Sequence, residues 1–377
     1  MTLFGRVLSY FRPLFQAESA SNIPALDGVR ALAIALVVLD HCSDAISRLP
    51  IAHGWIERAA SKGWVGVDLF FVLSGFLIGS QLLGEIAGTG RIRYGRFILR
   101  RSLRLWPLYY FVLAVMAFLS APIGWHDLFY WMNYKGGAVT GGWSLATEEQ
   151  FYLLIPIALI AGLGSRRKPE ALWKAGWIAL FCAPLIRWWV AKVSGISSSD
   201  SAEFVTSIYK PLHAHFDSLV LGLLLAFSRV FAKQFPVRRV WAATVCSMIL
   251  AVAFPVVFKL SLACLFSGGL VHRVLAKPES YLGRIFSWRP FYSLSRLSYG
   301  VYLTYNFLVA PVTAFFFEKL GWSSSVALYA AVPLSVLLLS STLCVGLWAV
   351  IEEPFLRLRA RLCRDEVRPQ AVARPAA

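Results

Sequence analysis

Arg30 and His41 bracket a wholly apolar run, Ala31 to Leu39, in the first hydrophobic stretch of the chain. As helix that run is roughly 13 Å long. The hydrocarbon core of a bilayer is about 30 Å thick and takes roughly 20 residues to cross. A helix crossing here must hold at least one of Arg30, Asp40 and His41 inside the membrane, where an ionisable group is costly and points to function. At about 100° per residue, positions 30 and 41 return to one helix face, roughly 16 Å apart. Two ionisable groups on one face of a spanning helix point to function. The competing explanation is a snorkelling arginine and an interfacial histidine.

The elements that must carry these residues follow from composition. Of 377 residues, 58% are hydrophobic and only 15% are charged, against about 25% charged in an ordinary soluble domain. Mean hydropathy is +0.63. Apolar runs recur along nearly the whole chain, so the expected fold class is all-α, a polytopic membrane helix bundle. Ten spans are expected, over 23–42, 64–83, 105–122, 148–163, 172–190, 212–227, 240–255, 256–274, 297–317 and 326–350. The seventh and eighth are joined almost without a loop, at 253–259. Residues 1–22 carry scattered charges and no apolar region followed by a cleavage site, so the first span is expected to act as the signal and to stay. Residues 23–356 form the transmembrane domain, and 357–377 a basic, disordered tail.

The net charge of +17 points to a positive-inside bias and not to nucleic acid. Arg91, Arg93, Arg96, Arg100, Arg101 and Arg104 fall in one connection. Arg166, Arg167 and Lys168, then Arg229, Lys233, Arg238 and Arg239, fall in later ones of the same set. The alternate connections hold far fewer basic residues. An even number of spans with both termini cytoplasmic fits every loop. None of the six cysteines forms a C-x-x-C pair, and most lie in apolar runs. They read as reduced and structural, with no metal site expected.

This orientation puts His41 toward the outside, together with Asp68, the segment Trp143-Ser144-Leu145 leading to Glu148 and Glu149, and His213, His215 and Asp217. A lone acid at a helix N-terminus has a plain explanation as a cap. Several acids with a histidine from different spans instead suggest a lined cavity, in which a carboxylate fixes the tautomer of a general base. Ser74 either hydrogen-bonds in that cavity or, with Gly75, forms a close helix-packing pair. Trp143 and Tyr152 stack on a sugar or anchor at the interface, the latter being preferred. The arginines of 91–104 either mark topology or bind phosphate, which arginine forks suit well. A phosphate site on one side and a histidine deeper in the membrane fit a long phosphorylated donor of the shape of coenzyme A.

Blocks in order along the chain resemble the acyltransferase-3 family of membrane acyltransferases. They are Leu26-Asp27-Gly28-Val29-Arg30-Ala31 running to Val37-Val38-Leu39-Asp40-His41, Gly66-Val67-Asp68-Leu69-Phe70-Phe71-Val72-Leu73-Ser74-Gly75-Phe76, and Arg100-Arg101-Ser102-Leu103-Arg104-Leu105-Trp106-Pro107. Trp143-Ser144-Leu145-Ala146-Thr147-Glu148-Glu149-Gln150-Phe151-Tyr152, Leu297-Ser298-Tyr299-Gly300-Val301-Tyr302-Leu303 and Ile351-Glu352-Glu353-Pro354-Phe355 continue it. The resemblance implies transfer of an acyl group, usually acetyl, from acyl-CoA to a hydroxyl of a carbohydrate, glycolipid or related acceptor. By the same analogy His41 is catalytic, and Glu148 is expected to orient it or the acceptor. Arg30, Arg100, Arg101 and Arg104 hold the acyl-CoA, and Asp68, Ser74, Trp143 and Asp217 line the acceptor side.

The sequence departs from the family at two places. Tyr305 stands where relatives often have histidine, and His215-Phe216-Asp217 where Arg-x-Asp is expected. Some relatives also carry a C-terminal esterase-like domain, which is not expected here. The implied location is the bacterial cytoplasmic membrane, with membrane lipids as surroundings. The residues leave open whether His41 acts as a base or carries the acyl group. They also leave open a transporter or flippase for a polar lipid or sugar, which inverted repeats or broken helices would favour.

Overall fold

The computed structural model of the protein describes residues 3–15, 23–51, 54–164, 169–196, 202–231, 242, 245 and 256–363. The basic clusters at 166–168 and 233–239, Cys246, the expected span 240–255 apart from two positions, and the tail after Cys363 lie outside them. Among the described residues there are helices and no strand. In chain order they are α1 (Leu3–Phe15), α2 (Pro24–Ile46), α3 (Trp55–Ala60), α4 (Val65–Thr89), α5 (Tyr94–Phe118), α6 (Trp125–Leu128) and α7 (Met132–Lys135). They continue as α8 (Gly142–Gly164), α9 (Pro169–Val193), α10 (Ala202–Phe204), α11 (Asp217–Val230) and α12 (Val256–Ala276). The last are α13 (Tyr281–Phe286), α14 (Arg289–Thr304), α15 (Asn306–Ala314), α16 (Ser325–Leu347) and α17 (Glu353–Leu362).

Among the described residues five helices are long and apolar enough to cross a membrane, or six when α14 and the segment after it, bent by 77° at Tyr305, count as one. Three further expected spans have a physical reason for falling outside that number. Helix α2 carries Asp27, Arg30 and Asp40, α5 carries four arginines between 96 and 104, and α11 has only 14 residues. Exposed apolar side chains recur at helical spacing on α9 (Ile178, Phe181, Leu185, Trp189) and on α16 (Leu334, Leu338). Water would penalise such stripes and acyl chains do not. The chain is therefore a multi-pass membrane protein.

Contacts divide the chain into two compact units. The first comprises Met1–Val67, Pro107–Val112 and Lys277–Leu356, and α2 runs through it. Pro24 opens α2 at a position where a missing N–H costs nothing. Small residues let neighbours close on this helix. A Cβ at Gly28 would meet the backbone of Phe286, and one at Gly66 the Ala33 carbonyl. Polar groups are paired across the unit. The Ser295 hydroxyl donates to Asp27 Oδ1 at 2.8 Å, and Tyr10 donates to the Ala349 carbonyl at 2.6 Å.

The second unit comprises Asp68–Trp106, Leu113–Ala276 and Arg357–Ala377. Helices α4 and α11 cross in it at glycine. A Cβ on Gly75 would strike the Leu219 carbonyl, and one on Gly222 the Val72 carbonyl. Close approach of two backbones through small residues is the usual means of tight packing where no hydrophobic force separates helix from lipid. The packing-pair reading of Gly75 is therefore met, and Ser74 has a separate partner described below. Buried Asp127 fixes the α6–α7 segment by accepting from the Gly124 and Ala138 N–H groups at 3.0 and 2.8 Å. Asn133 and Gln150 exchange amide hydrogen bonds at 2.9 Å, which ties α7 to α8.

Overpacking a filled site costs about 1–3 kcal/mol. Gly222→Leu should therefore lower the thermal midpoint of the detergent-solubilised protein. Gly84→Leu, on α4 but with no atom within 4 Å of the added Cβ, should leave it unchanged.

Candidate active site

Helix α2 is one unbroken helix of 23 residues, so Arg30 and His41 stand on a common register, both partly buried. The His41 ring has a fixed tautomer. Its Nδ1 lies 3.0 Å from the Val37 carbonyl, one turn back. A carbonyl only accepts, so Nδ1 carries the hydrogen and Nε2 of the neutral ring presents a lone pair. The sequence argument gave tautomer control to a carboxylate. Here the helix's own backbone exerts it. The Tyr305 ring packs edge-on against His41, with centroids 5.2 Å apart and planes at 68°. Tyr305 occupies the bend between α14 and α15.

In the second unit Glu148 is the acceptor of a polar line. Ser74 donates to its Oε1 at 2.8 Å, and Tyr152, one turn on along α8, donates to its Oε2 at 2.7 Å. The Arg101 guanidinium lies 5.1 Å from the Tyr152 ring centroid, a cation–π spacing. Tyr152 is only 3% exposed, which corrects its assignment to the membrane interface. Glu149 accepts from the Trp106 indole at 3.3 Å.

Arg101 also opens onto a cavity of about 460 Å³ lined by Gln81, Arg100, Arg101, Arg104, Arg359, Ala360 and Cys363. Arg100, Arg101 and Arg104 recur at helical spacing, so one face of α5 carries all three. Arg359 comes from α17. The sequence argument had assigned this residue only to a basic tail, because nothing in a run of alternating arginines shows that the helix folds back onto α5. Arg91, Arg93 and Arg96 do not line the cavity. A pocket walled by four guanidiniums is suited to a polyphosphate.

Asp68, Asp217 and Trp143 belong to a third constellation in the same unit, and their partners are protein groups. Asp68 is fully buried. It accepts from Ser218 at 2.5 Å and pairs with His215 Nε2 at 3.2 Å, while His215 Nδ1 donates to the Tyr209 carbonyl at 2.8 Å. The capping explanation of Asp68 gives way to this pair. Trp143 stacks on the His215 ring at 6.0 Å and 17° and packs against Tyr209 at 4.8 Å. It is thus part of an aromatic cluster, not a free interface anchor. Asp217 is held by a fork from Arg187 at 2.8 and 3.2 Å, with both side chains fully buried. Ser261 donates to Asp217 at 2.9 Å and also contacts Arg187. Arg187 further donates to the Ala214 carbonyl at 2.6 Å. The sequence reading passed over Arg187, although an arginine inside the apolar stretch 172–190 was itself the signal.

The described residues thus form a multi-pass helical membrane protein with a tautomer-fixed histidine on one helix and an arginine-walled cavity in its second unit. The family described as Acyltransferase domain matches residues 23–351, and the chain belongs to this acyltransferase-3 family. It is 27% identical over 335 residues to the peptidoglycan O-acetyltransferase OatA of Listeria monocytogenes, covering 78% of this chain and 50% of that protein. It is 27% identical to the putative peptidoglycan O-acetyltransferase YrhL of Bacillus subtilis, covering 74% and 48%. It is 25% identical to the O-acetyltransferase OatA of Staphylococcus aureus, covering 82% and 54%. The chain therefore spans about half the length of these relatives. No solved structure matches it.

Removing one partner of a buried ion pair costs about 3–5 kcal/mol, whereas apolar replacement of both is often neutral. Arg187→Met alone should abolish the folded fraction in detergent or lower its thermal midpoint sharply. Arg187→Met with Asp217→Leu should recover most of that loss in the same measurement.

Proposed function

We propose that the chain is a membrane O-acyltransferase that moves an acyl group, acetyl in the first instance, from acyl-CoA to a hydroxyl of a glycan-type acceptor. The observation that carries the reading is the His41 side chain, partly buried on α2, whose tautomer leaves Nε2 available as a base. Ten spans with both termini in the cytoplasm, in a bacterial cytoplasmic membrane, suit the distribution of charge. In this arrangement the arginine cavity faces the cytoplasm, where acyl-CoA is made. The phosphorylated head of the donor meets Arg100, Arg101, Arg104 and Arg359. Coenzyme A carries about four negative charges on its phosphates at neutral pH, by the usual charge of a phosphate monoester and a diphosphate, which matches these four guanidiniums. Arg30 and His41, on one face of α2, are proposed to serve the acyl end of the donor. Peptidoglycan is named as the substrate of two of the relatives, so a cell-wall or cell-surface sugar is the acceptor class to try first.

The chemistry needs only residues of this kind. His41 Nε2 takes the proton of the acceptor hydroxyl, whose oxygen attacks the thioester carbonyl. The carbon–sulfur bond then breaks, and the thiolate of coenzyme A recovers a proton from the imidazolium. Glu148, tied to Ser74 and Tyr152, is proposed to orient the acceptor or the base. Asp68, Trp143 and Asp217 support the acceptor side through the His215 and Arg187 pairs. No step calls for a metal ion. Transport of a polar lipid or sugar is the second reading, favoured by one observation, the helix broken at Tyr305. Transport leaves its substrate chemically unchanged.

Membranes holding equal amounts of wild-type or His41→Ala protein, incubated with acetyl-labelled coenzyme A, should differ about 10²–10⁴-fold in the label reaching glycan and lipid fractions, the usual range for a general base. Equal labelling would remove His41 from the mechanism. A charge-assisted hydrogen bond contributes about 1.5–3 kcal/mol. Arg359→Ala should therefore raise the KM for acetyl-CoA roughly 10- to 100-fold. Arg361→Ala should not, because two positions along α17 turn the side chain about 200° away and Arg361 does not line the cavity.

A further inference from the structure

Tyr305 combines three features that packing alone does not explain. It is 0% exposed, and its hydroxyl has no hydrogen-bond partner among the described residues. Its ring lies against His41, 5.2 Å between centroids. It sits at the 77° break between α14 and α15, inside a stretch whose helices are otherwise apolar enough to cross as one. An unpaired buried hydroxyl is destabilising, and a phenylalanine would fill the same volume without that penalty. Within a membrane the penalty is harder to escape, because no solvent is at hand to satisfy the group. A broken helix at membrane depth is tolerated where it faces protein or a ligand site. An unpaired donor on a ring that packs against the His41 ring matches a hydrogen-bonding group waiting for the reacting atoms.

We propose that Tyr305 is a catalytic residue that donates its phenolic O–H to the carbonyl oxygen of the acyl thioester. The proposal rests on the acyl-transfer reading given above. As the acceptor oxygen bonds to the carbonyl carbon and its proton passes to His41 Nε2, the π pair of the carbonyl moves onto oxygen. Tyr305 hydrogen-bonds to the resulting oxyanion. When the pair returns, the carbon–sulfur bond breaks, the ester forms, and the leaving thiolate takes the proton back from His41. Tyr305 keeps its own proton throughout and serves only as a donor. The bond it makes strengthens as charge develops, so its effect falls on kcat and not on donor affinity.

Tyr305→Phe tests this, since it removes one oxygen and keeps the ring. Full-length wild-type and variant proteins in membranes are compared over a range of acetyl-labelled coenzyme A, with label read in the glycan and lipid fractions. Thermal midpoints are measured on both after purification. The expected result is a kcat lower by about 10²–10³-fold, the usual cost of losing one oxyanion donor. The KM for acetyl-CoA should stay unchanged, and the thermal midpoint should equal or exceed that of wild type. A variant with wild-type kcat overturns the role of Tyr305 and leaves acyl transfer standing. A variant that loses thermal stability along with activity shows a structural hydroxyl and overturns it too. Wild-type membranes that transfer no label overturn the acyl-transfer reading, and the role of Tyr305 with it.

Discussion

A polar group inside a bilayer must find its partner in the protein or in a ligand, because the hydrocarbon offers none. That constraint sorts the ionisable residues of this chain. Arg187 and Asp217 satisfy each other through a two-pronged fork and enlist Ser261 and the Ala214 carbonyl. His215 uses both ring nitrogens, one on Asp68 and one on the Tyr209 carbonyl. Glu148 is met from two sides by hydroxyls. These groups hold helices α4, α8, α9, α11 and α12 of the second unit in register, with the glycine crossing of α4 and α11 providing the close approach. Among the groups that remain after the pairing, two stand together. His41 has one nitrogen bound and one unspent, and the phenol against it has no partner among the described residues.

The two units carry different groups. The first presents the His41 face of α2, surrounded by helices that approach through Gly28, Gly63 and Gly66. The second gathers arginines of α5 and α17 around one cavity, and Arg101 links its wall to the Tyr152–Glu148–Ser74 line. In the proposed function this cavity is a phosphate clamp, and one built on helices positions a donor better than a loop would. Its fourth arginine comes from a helix near the end of the chain, which makes α17 part of the binding machinery in the proposed function.

Much of this was legible in the sequence. The spacing of Arg30 and His41 implied one helix face, and α2 is continuous through both. The arginines of 91–104 read as either a mark of topology or a phosphate site, and one cavity gathers Arg100, Arg101 and Arg104. Blocks across the chain resembled the family that the chain belongs to. Other features depend on contacts between residues far apart in sequence, which no local pattern encodes. Asp68 and His215 are separated by 147 positions and Arg187 and Asp217 by 30, so their pairing emerged only from the fold. For Asp68 a helix cap stood beside the cavity reading, because an acid in a first turn has a sufficient local explanation. Trp143 and Tyr152 looked interfacial because aromatic residues near span ends usually are. The break at Tyr305 had no local mark, since neither proline nor glycine stands there.

The account turns on covalent transfer, and the acceptor records it. We would extract surface glycans and lipids from cells carrying wild-type protein, His41→Ala or none, and compare their masses before and after mild alkali. The account predicts one species that gains an acetyl group on a hydroxyl with wild type alone and loses it in alkali, as an ester must. A glycan or lipid of unchanged mass in all three, redistributed across the membrane only when wild-type protein is present, would contradict it and establish a transporter.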